Sequence, residues 1–137
     1  MFKKIYQFFH KKLFWSSVNK SNPIDNNIVE EYFDKTQNII FSDIYAKKEE
    51  SILLPKILNY KPKSVLDLGC GNGRYSKLFN KNNFEYAGVD ISKNFIKELK
   101  RSNKNRKFDF FHSTAHEFKT NSKFDMVLMI GLITYMN

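Results

Sequence analysis

A short apolar run that ends in three closely spaced glycines limits the possible folds of this chain more than any other feature. Ser64–Leu68 has the composition of a buried strand, and Gly69, Gly71 and Gly73 follow it before an amphipathic segment begins. Glycine has no Cβ and adopts positive φ without strain, so such a loop brings bare backbone close to a ligand. The segment therefore predicts a strand, a ligand-binding turn and a helix.

Short apolar runs alternate with amphipathic segments through the rest of the second half. Strands are predicted over residues 64–68, 86–90, 107–111 and 124–130. Helices are predicted over 73–80 and after Ser92, which is expected to cap the second of them. Strands joined by crossover helices favour a parallel sheet with right-handed connections. The expected fold class is α/β, with a Rossmann-like parallel sheet and flanking helices.

Helical segments precede this α/β region. Residues 2–15 place aromatic and aliphatic side chains at helical spacing between lysines, which predicts a basic amphipathic helix. Residues 19–27 are rich in turn formers and predict a linker. Helical periodicity continues over residues 28–60, with Pro55 expected in a first helical turn. The expected parts are a helix and linker over 1–25, a helical lead-in over 26–62 and an α/β domain over 63–137.

Charge and cysteine content set limits on partners and compartment. The 137 residues carry a formal net charge of +9, which favours a nucleic acid or an anionic membrane surface as partner, although solvated surface lysines explain the same count. Cys70 is the only cysteine, so no intrachain disulfide is possible and a cytoplasmic location is expected. The basic N-terminal helix would allow that location to be peripheral to a membrane.

Two aspartates limit the ligand that the glycine loop would bind. In a dinucleotide site the third glycine would stand at position 74, which is Arg74 here. Asp67 lies two residues before the first glycine, where a carboxylate would repel a pyrophosphate and attract a cation. Asp90 ends the second predicted strand, where a carboxylate can accept hydrogen bonds from both ribose hydroxyls. A positively charged nucleoside without phosphates fits both carboxylates. The glycine spacing disfavours a nicotinamide-dependent oxidoreductase.

Three segments resemble successive motifs of class I S-adenosylmethionine-dependent methyltransferases. They are Val65-Leu-Asp-Leu-Gly-Cys-Gly-Asn-Gly-Arg-Tyr-Ser76, Ala87-Gly-Val-Asp-Ile-Ser92 and Phe124-Asp-Met-Val127. The resemblance implies S-adenosylmethionine as the cofactor and methyl transfer to an unidentified acceptor as the reaction. It also implies a sheet of seven strands, of which this chain would supply four in the order 3-2-1-4, so the domain is expected to be incomplete.

The resemblance also implies which residues bind the methionine portion and the ribose of the cofactor. Asp67 and the backbone of Gly69, Gly71 and Gly73 would hold the methionine end. Asp90 would bind the ribose diol. The catalytic step, in-line attack on a sulfonium methyl, needs alignment and exclusion of water above all, and no general base is assigned.

Further residues would surround the adenine and the transferable methyl group, again by resemblance. Ile91 would pack on the adenine. Ser113 and Thr114 stand where the family often has an aspartate and an alanine that meet the adenine amino group. Ile130, at the end of the fourth predicted strand, would face the methionine moiety, and Tyr32 would close over the cofactor.

Structural roles are expected for several conspicuous side chains. Cys70 lies between glycines without a basic partner, which indicates a small buried loop residue. His112 and His116 have the spacing of a helical zinc pair but follow a strand, so no metal site is expected. The remaining structural expectations are solvated side chains for Arg74 and Lys77 and core positions for Phe108, Phe110 and Phe111.

The function expected from these features is methyl transfer, with a small-molecule acceptor favoured over lipid, RNA or protein. The alternative is a non-catalytic or membrane-associated binding protein that keeps the methyltransferase fold. The fourth predicted strand is almost wholly apolar, as an interior strand would be, and an unpaired apolar edge invites association. The 137-residue chain alone is therefore expected to be a poor catalyst.

Overall fold

A computed structural model describes residues 26–35, 43–79 and 84–132. The elements in chain order are α1 (Asn26–Lys35), α2 (Asp43–Tyr60), β1 (Ser64–Leu68), α3 (Arg74–Phe79), β2 (Glu85–Asp90), α4 (Lys93–Ser102), β3 (Phe108–His112) and β4 (Met126–Leu128). The strands form one sheet in the order β3-β2-β1-β4. All three strand pairings are parallel. The Rossmann-like α/β fold and the order 3-2-1-4 are thus confirmed.

The register of the sheet brings the site residues to one edge. In β1, Asp67 lies opposite Gly88 of β2 and Leu128 of β4. In β2, Asp90 lies opposite His112 of β3. Because the strands are parallel, their carboxyl ends meet at the same edge, where ligands of open α/β sheets bind.

The larger part of the core lies on one face of the sheet, where α3 and α4 pack. Side chains alternate along a strand, so Val65 of β1 and its register partner Tyr86 of β2 both point to this face. The other buried members of this cluster are Ile57, Cys70, Tyr75, Phe79, Phe84, Ile96, Leu99, Phe108, Phe110 and Leu128. A smaller cluster of Leu66, Ala87 and Val89 occupies the opposite face.

β1 has the predicted limits. The start of β2, both limits of β3 and the start of α3 each differ from the prediction by one residue. Ser92 caps α4 as expected, because its Oγ accepts the N–H of Phe95 at 3.2 Å.

Pro55 lies inside α2, so its predicted place in a first helical turn is wrong. Proline in a helix interior removes one backbone hydrogen bond and crowds the preceding turn. The helix nevertheless continues to Tyr60. Ile57 is buried in the larger cluster, and Leu53 and Leu54 pack against it. Burial of this apolar face therefore outweighs the local cost of the proline.

β4 is shorter and less buried than expected. It covers Met126–Leu128, and Val127 is 53% exposed, so the prediction that this segment is buried on both faces is wrong. Among the described strands, β4 pairs with β1 alone. Asp125 anchors its start, because Oδ2 accepts the N–H groups of Lys63 at 2.8 Å and Ser64 at 3.0 Å. These bonds lower the pKa of the Asp125 carboxyl.

The predicted amphipathic helix over residues 2–15 lies outside the described residues, as does most of the predicted linker. α1 begins at Asn26, which is within that linker. None of the helices in the described ranges is long and apolar enough to span a bilayer.

Candidate functional site

The loop between β1 and α3 turns at the carboxyl edge of the sheet through residues in the left-handed region. Gly69, Gly71 and Gly73 have φ values of 78°, 53° and 75°. A Cβ at position 73 would collide with the side chain of Leu99, so this glycine allows α3 and α4 to approach closely. A Cβ at position 71 would meet nothing within 4 Å. Gly71 therefore faces open space that a ligand can enter.

Asp90 ties this loop to the end of β2. Its Oδ2 accepts the N–H of Gly71 at 2.7 Å, and its Oδ1 accepts the N–H of Ser92 at 2.8 Å. Burial raises the pKa of Asp90, and the two backbone N–H groups oppose that rise. An ionised carboxylate has about four lone-pair positions, so Asp90 can also accept hydroxyl groups of a ligand. Its role in holding the loop was not predicted from the sequence.

Asp67 lies on the neighbouring strand and is more deeply buried, with 2% of its surface exposed. Its Oδ2 accepts the hydroxyl of Tyr86 at 2.6 Å. Burial raises the pKa of Asp67 to about 6; the Tyr86 hydrogen bond opposes that rise, and the Asp90 charge adds to it. A positive group beside such a carboxylate would stabilise its ionised form. The sequence reasoning missed Tyr86.

The residues after β3 lie beside Asp90. Ser113 donates its N–H to the carbonyl of Asp90 at 3.1 Å, and its Oγ donates to the carbonyl of Thr114 at 3.0 Å. Thr114 Oγ1 donates to Glu117 Oε2 at 2.8 Å and accepts the N–H of Glu117 at 3.1 Å. Both predicted adenine-side residues thus stand at the site edge, with their hydroxyls also engaged in local hydrogen bonds.

The other residues predicted to contact the cofactor are Ile91, Ile130 and Tyr32, and they lie in different parts of the structure. Ile91 is half-buried directly after Asp90. Ile130 lies two residues beyond β4, not at its end, and packs against the larger core cluster. Leu132 approaches the glycine loop instead, because a Cβ at position 69 would lie 3.1 Å from its Cδ1. Tyr32 belongs to α1, but its side chain lies outside the described set.

Two acidic side chains of α1 hold this helix at the same edge of the sheet. Asp34 Oδ1 accepts the hydroxyl of Ser92 and, at 3.3 Å, the N–H of Asn94. Glu30 Oε1 lies 3.2 Å from His112 Nε2, at the end of β3. The helix that carries Tyr32 therefore contacts both β3 and the turn that follows Asp90.

Arg74 joins α3 to the lead-in helix α2. Its guanidinium bonds Glu49, lies 3.8 Å from Glu50 and stands 4.9 Å from the ring centroid of Tyr75. The prediction that Arg74 is solvated is therefore wrong. Its acidic partners are 24 and 25 positions away in the sequence, and no local pattern pairs them with it. Lys77 is exposed, as predicted.

Cys70 is buried, as predicted, and burial raises the pKa of its thiol, which disfavours a nucleophilic role.

Phe108 and Phe110 are core residues, as predicted. Phe111 is 40% exposed, so its predicted core position is wrong; it faces the smaller cluster and contacts Phe118 at a ring-centroid distance of 5.3 Å. Within the described residues, no group of three or more metal-ligating side chains could hold an ion.

Comparisons with known proteins extend this description. The uncharacterized protein MJ0638 of Methanocaldococcus jannaschii is 36% identical over 97 residues, which are 71% of this chain and 40% of that protein. The PH0226 protein from Pyrococcus horikoshii OT3 is 33% identical, with a TM-score of 0.52 over 67% of this chain and 44% of its own. The plantazolicin methyltransferase BamL, solved with a triazolic analog and SAH, shares the fold at 20% identity and a TM-score of 0.51, over 93% and 48% of the two chains.

The chain thus spans less than half the length of each of these relatives. A family model described as a methyltransferase domain matches residues 65–137, which include the glycine loop and both site aspartates. Because this match covers more than half of the sequence, the chain belongs to the methyltransferase domain family.

Proposed function

We propose that the chain binds S-adenosylmethionine and forms the cofactor-binding part of a methyltransferase with a small-molecule acceptor. One observation carries the proposal: two buried aspartates, Asp67 and Asp90, flank a left-handed Gly71 whose Cα faces open space. The family match to a methyltransferase domain supports it. The SAH bound to BamL, a protein of the same fold, is consistent with this choice of cofactor.

The charges of this edge fit the proposed cofactor. S-adenosylmethionine carries an ammonium, a sulfonium and a ribose diol but no phosphate. Asp67 would attract the ammonium, and Asp90 would accept hydrogen bonds from the diol while it keeps its bond to Gly71. A dinucleotide would place its pyrophosphate near the Asp67 carboxylate, which is unfavourable.

The remaining contacts are proposed for the adenine and the methyl group. Ile91 would pack on the adenine ring, and Ser113 and Thr114 would lie near its amino group. Both are neutral, so the adenine would be bound without assistance from a charge at this position. Ile130 and Tyr32 would border the methionine portion.

When bound, S-adenosylmethionine supplies an activated methyl group for in-line attack by the acceptor. The residues of this chain would bind and orient that cofactor, and α1, held to Ser92 and His112, would limit access of water from one side. We assign no general base. A small-molecule acceptor is proposed because the sequence carries no recognised RNA-binding module, and a cytoplasmic location fits a free, buried Cys70.

The ribose assignment is testable by isothermal titration with S-adenosylhomocysteine. Asp90→Asn is expected to weaken binding by roughly 10- to 100-fold, because a charge-assisted contact contributes about 1.5–3 kcal/mol. Asp109→Asn is a matched control, since Asp109 is an exposed aspartate on β3. Thermal melts of both variants establish that they fold. Equal affinity of Asp90→Asn and wild type would remove Asp90 from the cofactor site.

A further inference from the structure

The Tyr86 side chain lies among other aromatic rings, on the face of the sheet that carries the larger core cluster. Its ring centroid is 6.0 Å from that of Phe79, 5.2 Å from Phe108 and 5.9 Å from Phe110. The side chain is 2% exposed. A phenylalanine would satisfy these ring contacts equally well, so packing does not explain the hydroxyl. That hydroxyl donates to Asp67 Oδ2 at 2.6 Å.

The backbone of β2 leaves room for the Tyr86 ring to reach the next strand. Tyr86, Gly88 and Asp90 alternate onto one face, and Gly88 is the register partner of Asp67. A Cβ at position 88 would lie 3.1 Å from Tyr86 Cε1 and 2.9 Å from Phe110 Cδ1. Such contacts are too close for a well-packed core. The glycine at position 88 thus allows the tyrosine to lie across the strand toward Asp67.

We propose that Tyr86 is a positioning residue for cofactor binding: its hydroxyl fixes the Asp67 carboxylate in the orientation that receives the ammonium of S-adenosylmethionine. The inference rests on the proposed function, in which Asp67 binds that ammonium. A buried carboxylate without a donor would rotate toward another partner or take up a proton. The hydrogen bond from Tyr86 keeps the group oriented and favours its ionised form.

The charged and titratable groups around Asp67 act in both directions. Burial and the Asp90 carboxylate raise the pKa of Asp67, whereas the Tyr86 hydrogen bond and the Arg74 charge lower it. The Cys70 thiol, also within electrostatic range, is buried, and its own pKa is raised. Loss of the Tyr86 hydroxyl would therefore raise the pKa of Asp67 further. The neutral acid, which does not attract an ammonium, would then persist to higher pH.

The experiment compares two ligands that differ in the amino-acid portion, which includes the ammonium that Asp67 would bind. S-adenosylhomocysteine carries the amino-acid portion, and 5′-methylthioadenosine has the same thioether and nucleoside without it. Tyr86→Phe is expected to weaken S-adenosylhomocysteine binding about tenfold and to leave 5′-methylthioadenosine binding within about twofold. The pH at which S-adenosylhomocysteine affinity is half-maximal should also increase.

Tyr75→Phe is the matched control, because Tyr75 is likewise buried and its hydroxyl donates to a carboxylate, Glu49, at 3.0 Å. It should change neither affinity. Wild-type affinity of Tyr86→Phe for both ligands, or an equal loss for both, would overturn the positioning role while leaving the proposed function intact. If Asp67→Asn binds S-adenosylhomocysteine as wild type does, the ammonium assignment itself fails and the positioning role fails with it.

Discussion

Asp67 is held in an environment that disfavours its charge. Burial raises its pKa from 3.8 to about 6. Because the folded chain binds this proton more tightly than the unfolded chain, the stabilising contribution is present below pH 4 and is lost as the pH rises through about 6. At neutral pH the ionised carboxylate therefore costs stability, and a cationic ligand would offset that cost.

Asp67→Asn should consequently stabilise the ligand-free chain at neutral pH. Asparagine keeps an acceptor for the Tyr86 hydroxyl but removes the buried charge. The expected gain at pH 7.5 is about 1 kcal/mol, or roughly 4 °C in Tm, with a smaller gain at pH 5. Thermal melts of Asp67→Asn and the exposed control Asp109→Asn measure the difference. The burial argument would be contradicted if the Tm gain of Asp67→Asn over wild type were smaller at pH 7.5 than at pH 5.

The same titration should control cofactor affinity. At one pH unit below a pKa of about 6, roughly a tenth of Asp67 is ionised, so S-adenosylhomocysteine binding at pH 5 should be about tenfold weaker than at pH 7. Protonation of Asp90, whose pKa is also raised, acts in the same direction. Calorimetry across this range tests the effect, with Asp67→Asn expected to flatten the profile. A pH-independent wild-type affinity would argue against an ionised Asp67 in the complex.

At the scale of elements, the contacts of Arg74 connect α2 to the helix that follows the glycine loop. The guanidinium and its partners Glu49 and Glu50 are each less than one-third exposed, so solvent screens these pairs only in part. Arg74→Met should reduce the free energy of unfolding by about 1 kcal/mol, since it leaves two carboxylates together without their cation. Lys77→Met, an exposed position on the same helix, is the control. Equal urea midpoints for the two variants would show that the cluster contributes nothing.

Element prediction from the sequence was most successful where the signal was local. The apolar runs of β1, β2 and β3 and the glycine loop carry their own periodicity and turn chemistry. Pro55 was misplaced because a local rule ignored the burial of the α2 face around Ile57. β4 was predicted to be buried because it is apolar, but burial depends on neighbouring strands and helices that the segment itself does not specify.

The candidate site likewise contains residues that a local motif predicts and contacts that depend on the tertiary structure. Asp67, Asp90 and the glycines form motifs within a few residues of a strand end, so the sequence alone suggests them as candidate site residues. The hydrogen bond of Tyr86 to Asp67 depends on the register between β1 and β2. The contact of Glu30 with His112 depends on where α1 packs, across 82 positions of the chain. Such contacts require the tertiary structure and have no local signature.

At the scale of the whole molecule, the face of the sheet that carries the smaller core cluster also exposes apolar side chains. Val127 lies opposite Leu66 and is 53% exposed, and Phe111 lies opposite Val89 and is 40% exposed. Exposed apolar groups on outer strands favour self-association. Sedimentation velocity should therefore show concentration-dependent oligomers that Val127→Lys reduces. Ile52→Lys, at a 50% exposed position on α2, should not reduce them, and a strictly monomeric wild type would contradict the expectation.

The central claim is that this edge of the sheet binds an S-adenosyl nucleoside rather than a dinucleotide. Calorimetric titration of the wild-type chain at pH 7.5 with S-adenosylhomocysteine and, separately, with NAD tests it most directly. We predict saturable one-to-one binding of S-adenosylhomocysteine and at least tenfold weaker binding of NAD, because the pyrophosphate would lie beside the Asp67 carboxylate and Arg74 replaces the third glycine of a dinucleotide loop. Equal or tighter binding of NAD, or no binding of S-adenosylhomocysteine by the folded chain, would contradict the account.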